Sequence, residues 1–395
     1  EEFLDALRLL VFGIVSPPAG DDGAFLAGLR GLYEAGRGFP IGGGIRSAEA
    51  FEVIRQGWVS RRPGEHLARL GPPSLHDVLE VSSALARYLA PLRAIRRGDV
   101  VHATANGIGS LMALTAGWDW NTPMLLTEHG VYLRERYLEQ YEAPVPPRVR
   151  AFQLAFFRCL NNTLLETADL VAPVSEFNRR WERRTGGDPS KILTIHNGVD
   201  PEAFPLQMGE PAVPTISWVG RIDPLKDIKT LLEAFSLVRR PIPSARLRLF
   251  GPVPAGNEAY YRECVGMVER LRMESAVSFE GHLERVSFAH EAAHVVVLSS
   301  ISEGFPFTVL EAMMSGRATV STDVGGVSEA VGDAGLLVRP RDPEGLAGAL
   351  VRTLTDHRLR QRLGRAARDR AMRLFTLERM TDLYRLAYRS VINRD

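Results

Sequence analysis

Ile216-Ser-Trp-Val-Gly-Arg-Ile-Asp-Pro-Leu-Lys226 leads into a stretch with apolar residues at Ile228, Leu231, Leu232, Phe235 and Val238. The opening four residues form a short, almost wholly apolar run, as in a strand covered on both faces. The later spacing of i, i+3, i+4, i+7 and i+10 puts one apolar stripe on a helix that packs against a sheet. Similar strand-like runs recur at 100–103, 124–127, 170–174, 192–195, 247–250, 277–279, 295–298, 318–321 and 336–338, with helical segments between most of them. That alternation predicts an α/β protein built on doubly wound parallel sheets.

At 395 residues the chain exceeds one compact core, and two domains are expected. Gly and Pro concentrate in Asn197-Gly-Val-Asp-Pro-Glu-Ala-Phe-Pro205 and Gly209-Glu-Pro-Ala-Val-Pro214. The interdomain linker is placed there, giving domains at 1–204 and 205–375, with 376–395 a helix packing back on the first. Within the first 98 residues, 7–15 reads as a strand, 24–35 as a helix, 37–46 as a glycine-rich loop and 64–97 as mostly helical.

Charge and hydropathy exclude several classes. With 48 basic and 47 acidic residues the formal charge is +1, spread along the chain, so a nucleic-acid partner is not expected. No apolar run approaches the ~20 residues that cross a bilayer, and a cytoplasmic enzyme is the expectation. Cys159 and Cys264 lie far apart in helix-like surroundings and are read as reduced thiols.

In open parallel sheets ligands bind beyond the carboxyl ends of the strands, so the residues just after each apolar run matter most. After Val219, Arg221 and Lys226 stand between a strand end and a helix start. A guanidinium forks onto two phosphate oxygens and an ammonium adds a point charge, although two cations there also suit a plain surface. After Leu298, the polar loop Ser299 to Phe305 runs into Pro306, which suits the first turn of a helix. Glu303 then lies in the loop and Glu311 about one and a half turns into the helix, where two carboxylates can clamp vicinal hydroxyls. The free amides of residues 305–308 would face an anion. The plainer reading makes Glu303 a partner of the helix dipole and Glu311 a surface group. The third place, Thr127-Glu-His-Gly130, sets His129 at a strand end, where it either meets a substrate or serves the structure.

Together these places resemble the retaining glycosyltransferases of family four, whose GT-B fold has two Rossmann-like domains facing each other across a cleft. The resemblance runs from about residue 100 to 387. It rests on Asp99-Val-Val-His102, Val174-Ser175, Asn197-Gly-Val-Asp200, Gly220-Arg221 with Lys226, Glu303-Gly-Phe305, Glu311-Ala-Met313, and Gly325-Gly326 with Glu329. Within that family, Ile222-Asp-Pro-Leu-Lys-Asp-Ile-Lys-Thr230, Ser300-Ile-Ser-Glu-Gly-Phe-Pro306 and Thr127-Glu-His-Gly-Val-Tyr132 are similar to the Pel exopolysaccharide glycosyltransferase (PelF) and its relatives.

The resemblance implies an acceptor-side first domain and a second domain that binds a nucleotide-sugar, with a UDP-sugar expected. Arg221 and Lys226 would hold the diphosphate, Glu311 the ribose hydroxyls and Glu303 the transferred sugar. Gly304, Phe305, Pro306, Phe307 and Thr308 would line the donor, and His129 the acceptor side. The implied reaction moves a hexose or N-acetylhexosamine to a glycan acceptor with retention, using no metal or other cofactor. A Pel-like enzyme would work at the cytosolic side of the inner membrane, associated peripherally with a polysaccharide synthase complex. Two departures stand out. The glycine loop that usually ends the family's first strand has Gly42-Gly-Gly44 as its only candidate, and Pro306 stands where many relatives have Gly.

Two other classes fit parts of the sequence. Gly107-Ile-Gly109 after 100–106, with Glu128 about 20 residues on, is a partial nicotinamide-dinucleotide fingerprint, but Met112 occupies its third-glycine position. A non-catalytic nucleotide-sugar sensor would use the same binding residues without turnover.

Overall fold

The computed structural model describes residues 1–16, 23–37, 40–59, 67, 69–142 and 144–393. The chain forms two compact units. One holds Glu1–Pro173 and Arg179–Thr194 with the C-terminal stretch from Leu386; the other holds Val174–Asn178 and Ile195–Arg385.

Among its described residues the first unit has three parallel strands, β1 (Val101–Ala103), β2 (Met124–Glu128) and β3 (Leu170–Pro173), in spatial order β1-β2-β3. Leu125 pairs with His102 on one side and Leu170 on the other. Most of this unit's core is helical. Glu2–Val15, Ala24–Ala35, Ala48–Val59, Leu75–Tyr88 and the 21-residue Pro147–Thr167 enclose Leu7, Leu10, Ile14, Phe25, Leu29, Phe152 and Phe156.

The expected strand at 7–15 is therefore helix. Phe3, Leu7, Leu10, Val11 and Ile14 are buried at helical spacing, and Gly28 lets the next helix approach so closely that a Cβ there would meet the Leu10 amide nitrogen at 2.4 Å. Residues 24–35 are helical as read. In the expected glycine loop, Ile41–Ile45 makes a helical turn that contains Gly42 to Gly44, while residues 38–39 lie outside those described. In 64–97 the helix Leu75–Tyr88 starts at a reciprocal Ser74–Asp77 capping box; residues 64–66 and 68 lie outside those described. Residues 192–195 form a single bridge rather than a strand: Ile192 pairs with Val171, and Leu193 donates to the Val171 carbonyl at 2.9 Å. The chain passes to the second unit after Thr194, which ends the pairing there.

The second unit carries six parallel strands: β4 (Thr215–Val219), β5 (Arg246–Phe250), β6 (Val277–Gly281), β7 (Val295–Leu298), β8 (Ala318–Thr322) and β9 (Leu336–Val338). Their spatial order is β6-β5-β4-β7-β8-β9. β7 is buried throughout, as its continuous apolar run requires, and β8 is buried throughout although it carries Thr319, Ser321 and Thr322. The Ile228–Val238 helix buries Ile228, Leu231, Leu232, Phe235 and Val238 on the sheet. The chain winds outward from β4 to β6, returns beside β4 as β7, and winds the other way to β9. Strand order thus reverses between β4 and β7, and the crevice that a doubly wound sheet offers a ligand opens at their carboxyl ends. Among the described residues, no helix is long and apolar enough to cross a membrane.

Candidate functional site

Arg221 and Lys226 follow β4 and Glu303 follows β7, so the sheet's winding brings them to that reversal. Backbone packing then sets the loops. Gly251 after β5 has φ +139°, and a Cβ there would meet the Gly220 carbonyl at 1.8 Å. Only glycine allows this approach, and the Ile222 amide donates to the Pro252 carbonyl at 2.9 Å beside it. Asp223 caps the Pro224–Lys226 turn, and Asp227 caps the helix that follows. The β7 loop is tied to this turn: the Ile301 amide donates to Leu225 at 2.9 Å, and Ser299 Oγ donates to the Lys226 carbonyl at 2.7 Å.

These ties deliver Lys226 to Glu303. Lys226 Nζ lies 2.6 Å from Glu303 Oε1, which also accepts a 2.5 Å hydrogen bond from Ser300 Oγ. The Glu303 side chain is only 10 % exposed. Removing one partner of such a pair strands a charge, whereas a ligand that supplies both an anion and hydroxyls can take over both halves. Arg221 is exposed and has no hydrogen-bond or ion-pair partner among the described residues. Its guanidinium is available to an anion.

Behind the loop, Gly325 (φ +59°) and Gly326 pack on the backbone of Glu303 and Gly304. A Cβ on Gly325 would meet the Glu303 carbonyl at 1.7 Å, and one on Gly326 would meet the Gly304 carbonyl at 2.5 Å. Phe305 is buried, its ring 4.9 Å from His196 and 5.3 Å from Phe375. His196 Nε2 in turn contacts Glu329 Oε1 at 2.5 Å, and Glu329 Oε2 accepts from the Glu176 amide at 2.8 Å. Phe305 thereby anchors the loop, and its side chain is turned from solvent. Pro306 stands just before the Phe307–Met314 helix. Thr308 Oγ1 donates to the Val219 carbonyl at 3.2 Å, which leaves its amide, with that of Phe307, as the group at the helix start.

Glu311 lies in the same helix with its side chain 18 % exposed. No hydrogen bond to its carboxylate is made among the described residues. Burial raises its pKa to about 7. A largely buried carboxylate without a donor is a site for hydroxyl groups to fill.

His129 belongs to the first unit, exposed just past β2. Its neighbour Glu128 is buried and held by Asn106 Nδ2 and the Tyr132 amide, each at 3.2 Å; desolvation raises its pKa. Asn106 also donates to Asn161 at 3.0 Å. Gly107 is accounted for by packing, since a Cβ there would meet the Tyr132 ring at 2.6 Å. Sequence reasoning missed Gly251 and His290, which lies behind Glu311. Neither has a local signal, because Gly251 meets Gly220 and His290 meets Glu311 only through the fold.

A family model described as "Glycosyl transferases group 1" matches residues 213–356, and one for a domain of unknown function, DUF3492, matches residues 47–190. A D-inositol 3-phosphate glycosyltransferase of Kribbella flavida is 30% identical over 310 residues, 72% of this chain and 70% of that protein. A glycogen synthase of Mycobacterium tuberculosis is 28% identical over 281 residues, 69% of this chain and 64% of that protein. In structure, Anabaena HepE in complex with UDP and glucose aligns with TM-score 0.64 at 19% identity, covering 80% of this chain and 83% of that one. Sucrose-phosphate synthase from Thermosynechococcus elongatus aligns with TM-score 0.63 at 24% identity, covering 84% and 81%. The fold expected from the sequence, GT-B with Rossmann-like parallel sheets, is the fold these structures share with this chain.

Proposed function

The chain belongs to the group 1 glycosyltransferases, and from that premise we propose that it is a retaining enzyme that moves a hexose or N-acetylhexosamine from a UDP-sugar to a glycan. The observation that carries this reading is the Lys226–Glu303 contact at the strand-order reversal, with Arg221 free beside it in sequence and Glu311 one helix further on. UDP is favoured as the carrier because HepE is similar in fold and is described in complexes with UDP and with UDP-glucose.

In this reading Arg221 and Lys226 bind the diphosphate, with the amides of Phe305, Phe307 and Thr308 behind them. Glu311 accepts from the ribose hydroxyls, and Glu303, released from Lys226, accepts from hydroxyls of the transferred sugar. Gly304 and Pro306 shape the loop, and His129 is assigned to the acceptor. The bond from the anomeric carbon to the diphosphate breaks with its electron pair left on the phosphate oxygen. The acceptor oxygen bonds to that carbon on the same face, and its proton passes to the departing phosphate. Positive charge and amide dipoles already aimed at that oxygen stabilise the developing anion, so the scheme needs no metal or other cofactor. The similarity of 222–230, 300–306 and 127–132 to PelF supports a role in Pel-like exopolysaccharide synthesis, with peripheral association to a synthase complex at the cytosolic face of the inner membrane.

Calorimetry with UDP-, GDP- and ADP-sugars, followed by transfer assays, tests the proposal. UDP-sugars are expected to bind tightest, and Arg221→Ala and Lys226→Ala to lower turnover by about 10²- to 10³-fold each. Unchanged donor hydrolysis and transfer in both variants would overturn the phosphate assignment.

A further inference from the structure

His290 lies in the short helix Ser287–Glu291 and is fully buried. Neither ring nitrogen has a hydrogen-bond partner among the described residues. Its Nε2 points to the Glu311 carboxylate and stops 4.0 Å from Oε2, beyond hydrogen-bonding range. An imidazole with both nitrogens unpaired in the interior carries an unmet desolvation cost. Here the nearest group able to meet it is a carboxylate that itself lacks a donor.

The backbone around His290 is held firmly. Arg317 Nε donates to the His290 carbonyl at 2.8 Å, and its Nη2 donates to the carbonyls of Gly209 and Glu291 at 2.7 and 3.1 Å. Phe204 packs on the ring, with centroids 5.9 Å apart. The histidine is therefore supported from behind, and Glu311 is the half of the pair that reaches solvent.

We propose that His290 is a positioning residue for the nucleotide: when ribose hydroxyls engage Glu311, the His290 Nε2–H closes on Oε2 and fixes the carboxylate in the orientation that accepts them. The inference rests on the reading of Glu311 as the ribose ligand. Hydrogen bonds of this kind are commonly long in the free protein and tighten in the complex. Protonation states agree with it. Burial, with Arg317 as the charged neighbour, lowers the His290 pKa to about 3, so the ring is neutral near pH 7 and has one N–H to give. No charged group offsets the burial of Glu311, so a neutral donor is the help available when it ionises.

The test compares binding of UDP and 2′,3′-dideoxy-UDP to the full chain and three variants. For the wild type, UDP should bind at least tenfold more tightly than the dideoxy nucleotide. Glu311→Gln should shrink that ratio. His290→Phe, which fills the space without a donor, should weaken UDP about tenfold and the dideoxy nucleotide less than twofold. His290→Gln, which keeps an N–H, should restore part of the preference. A merely structural histidine would weaken both nucleotides alike or neither, and that result overturns the inference. If the preference is unchanged in Glu311→Gln, the ribose reading fails and the inference with it. If the preference shrinks in Glu311→Gln but survives in both His290 variants, the inference alone fails.

Discussion

Both units are built on parallel strands, yet they treat the polar groups at the strand ends in opposite ways. In the first unit, β1, β2 and β3 lie in chain order, and polar side chains near their ends bind one another. Glu128 is held by Asn106 and Tyr132, while His102 contacts Thr127 Oγ1 and Tyr388 Oη, both at 2.8 Å. In the second unit the order reverses between β4 and β7. There, among the described residues, Arg221 has no partner and Glu311 has no donor, while Lys226 is matched with Glu303 across two loops. A strand-order reversal separates the connections on either side of it, so side chains at that point converge on open space. Without a reversal, the polar groups find each other and become structure.

That contrast can be broken at several places. The largest effect is expected from Glu303→Gln, which should lower transfer about 10³-fold and, by leaving the Lys226 charge unpaired, cost about 1–3 kcal/mol of stability; a steady-state assay with a UDP-sugar and thermal unfolding measure the two. Next come two glycines. Gly325→Ala strains a φ of +59° and strikes the Glu303 carbonyl, so turnover should fall more than tenfold. Gly28→Ala pushes apart two helices of the first unit and should cost about 1–3 kcal/mol of stability, with UDP affinity unchanged in calorimetry. His102→Ala should likewise cost about 1–3 kcal/mol without altering nucleotide binding, because Thr127 and Tyr388, to which it bonds, both belong to the first unit.

The smallest predicted effect concerns pH. Glu311 holds its proton up to about pH 7 in the free protein, against an ordinary value of 4.5. The folded state binds this proton more tightly than the unfolded chain, so ionisation lowers stability as pH rises from about 4.5 to 7. Ribose hydroxyls donate to the ionised form, so UDP affinity should rise across pH 6 to 8 by up to about tenfold. Glu311→Gln should flatten both profiles; a wild-type affinity independent of pH would separate Glu311 from the nucleotide.

Much of this was legible from local pattern. The run at 216–219 and the stripe from Ile228 to Val238 became β4 and its helix because burial on both faces of a sheet leaves a continuous apolar run, and burial on one face of a helix leaves a periodic one. Residues 7–15 read as a strand because a helix buried on most sides is as continuously apolar as a buried strand. Its period of Phe3, Leu7, Leu10 and Ile14 appears only when Phe3 is included. Residues 192–195 carry strand-like residues but pair through one bridge as the chain leaves the first unit.

By itself the sequence determined the parallel α/β architecture of the second unit and the candidate residues Arg221, Lys226, Glu303 and Glu311, since short-range spacing records which face of each element is buried and which residues follow each strand. Tertiary structure alone decided that Lys226 and Glu303, 77 positions apart, meet at 2.6 Å. It also decided that Gly325 packs on the Glu303 backbone and that a buried histidine stands 4.0 Å from Glu311. Those relations depend on the order in which strands lie side by side, and that order is set by long-range pairing that leaves no mark on the spacing of neighbouring residues.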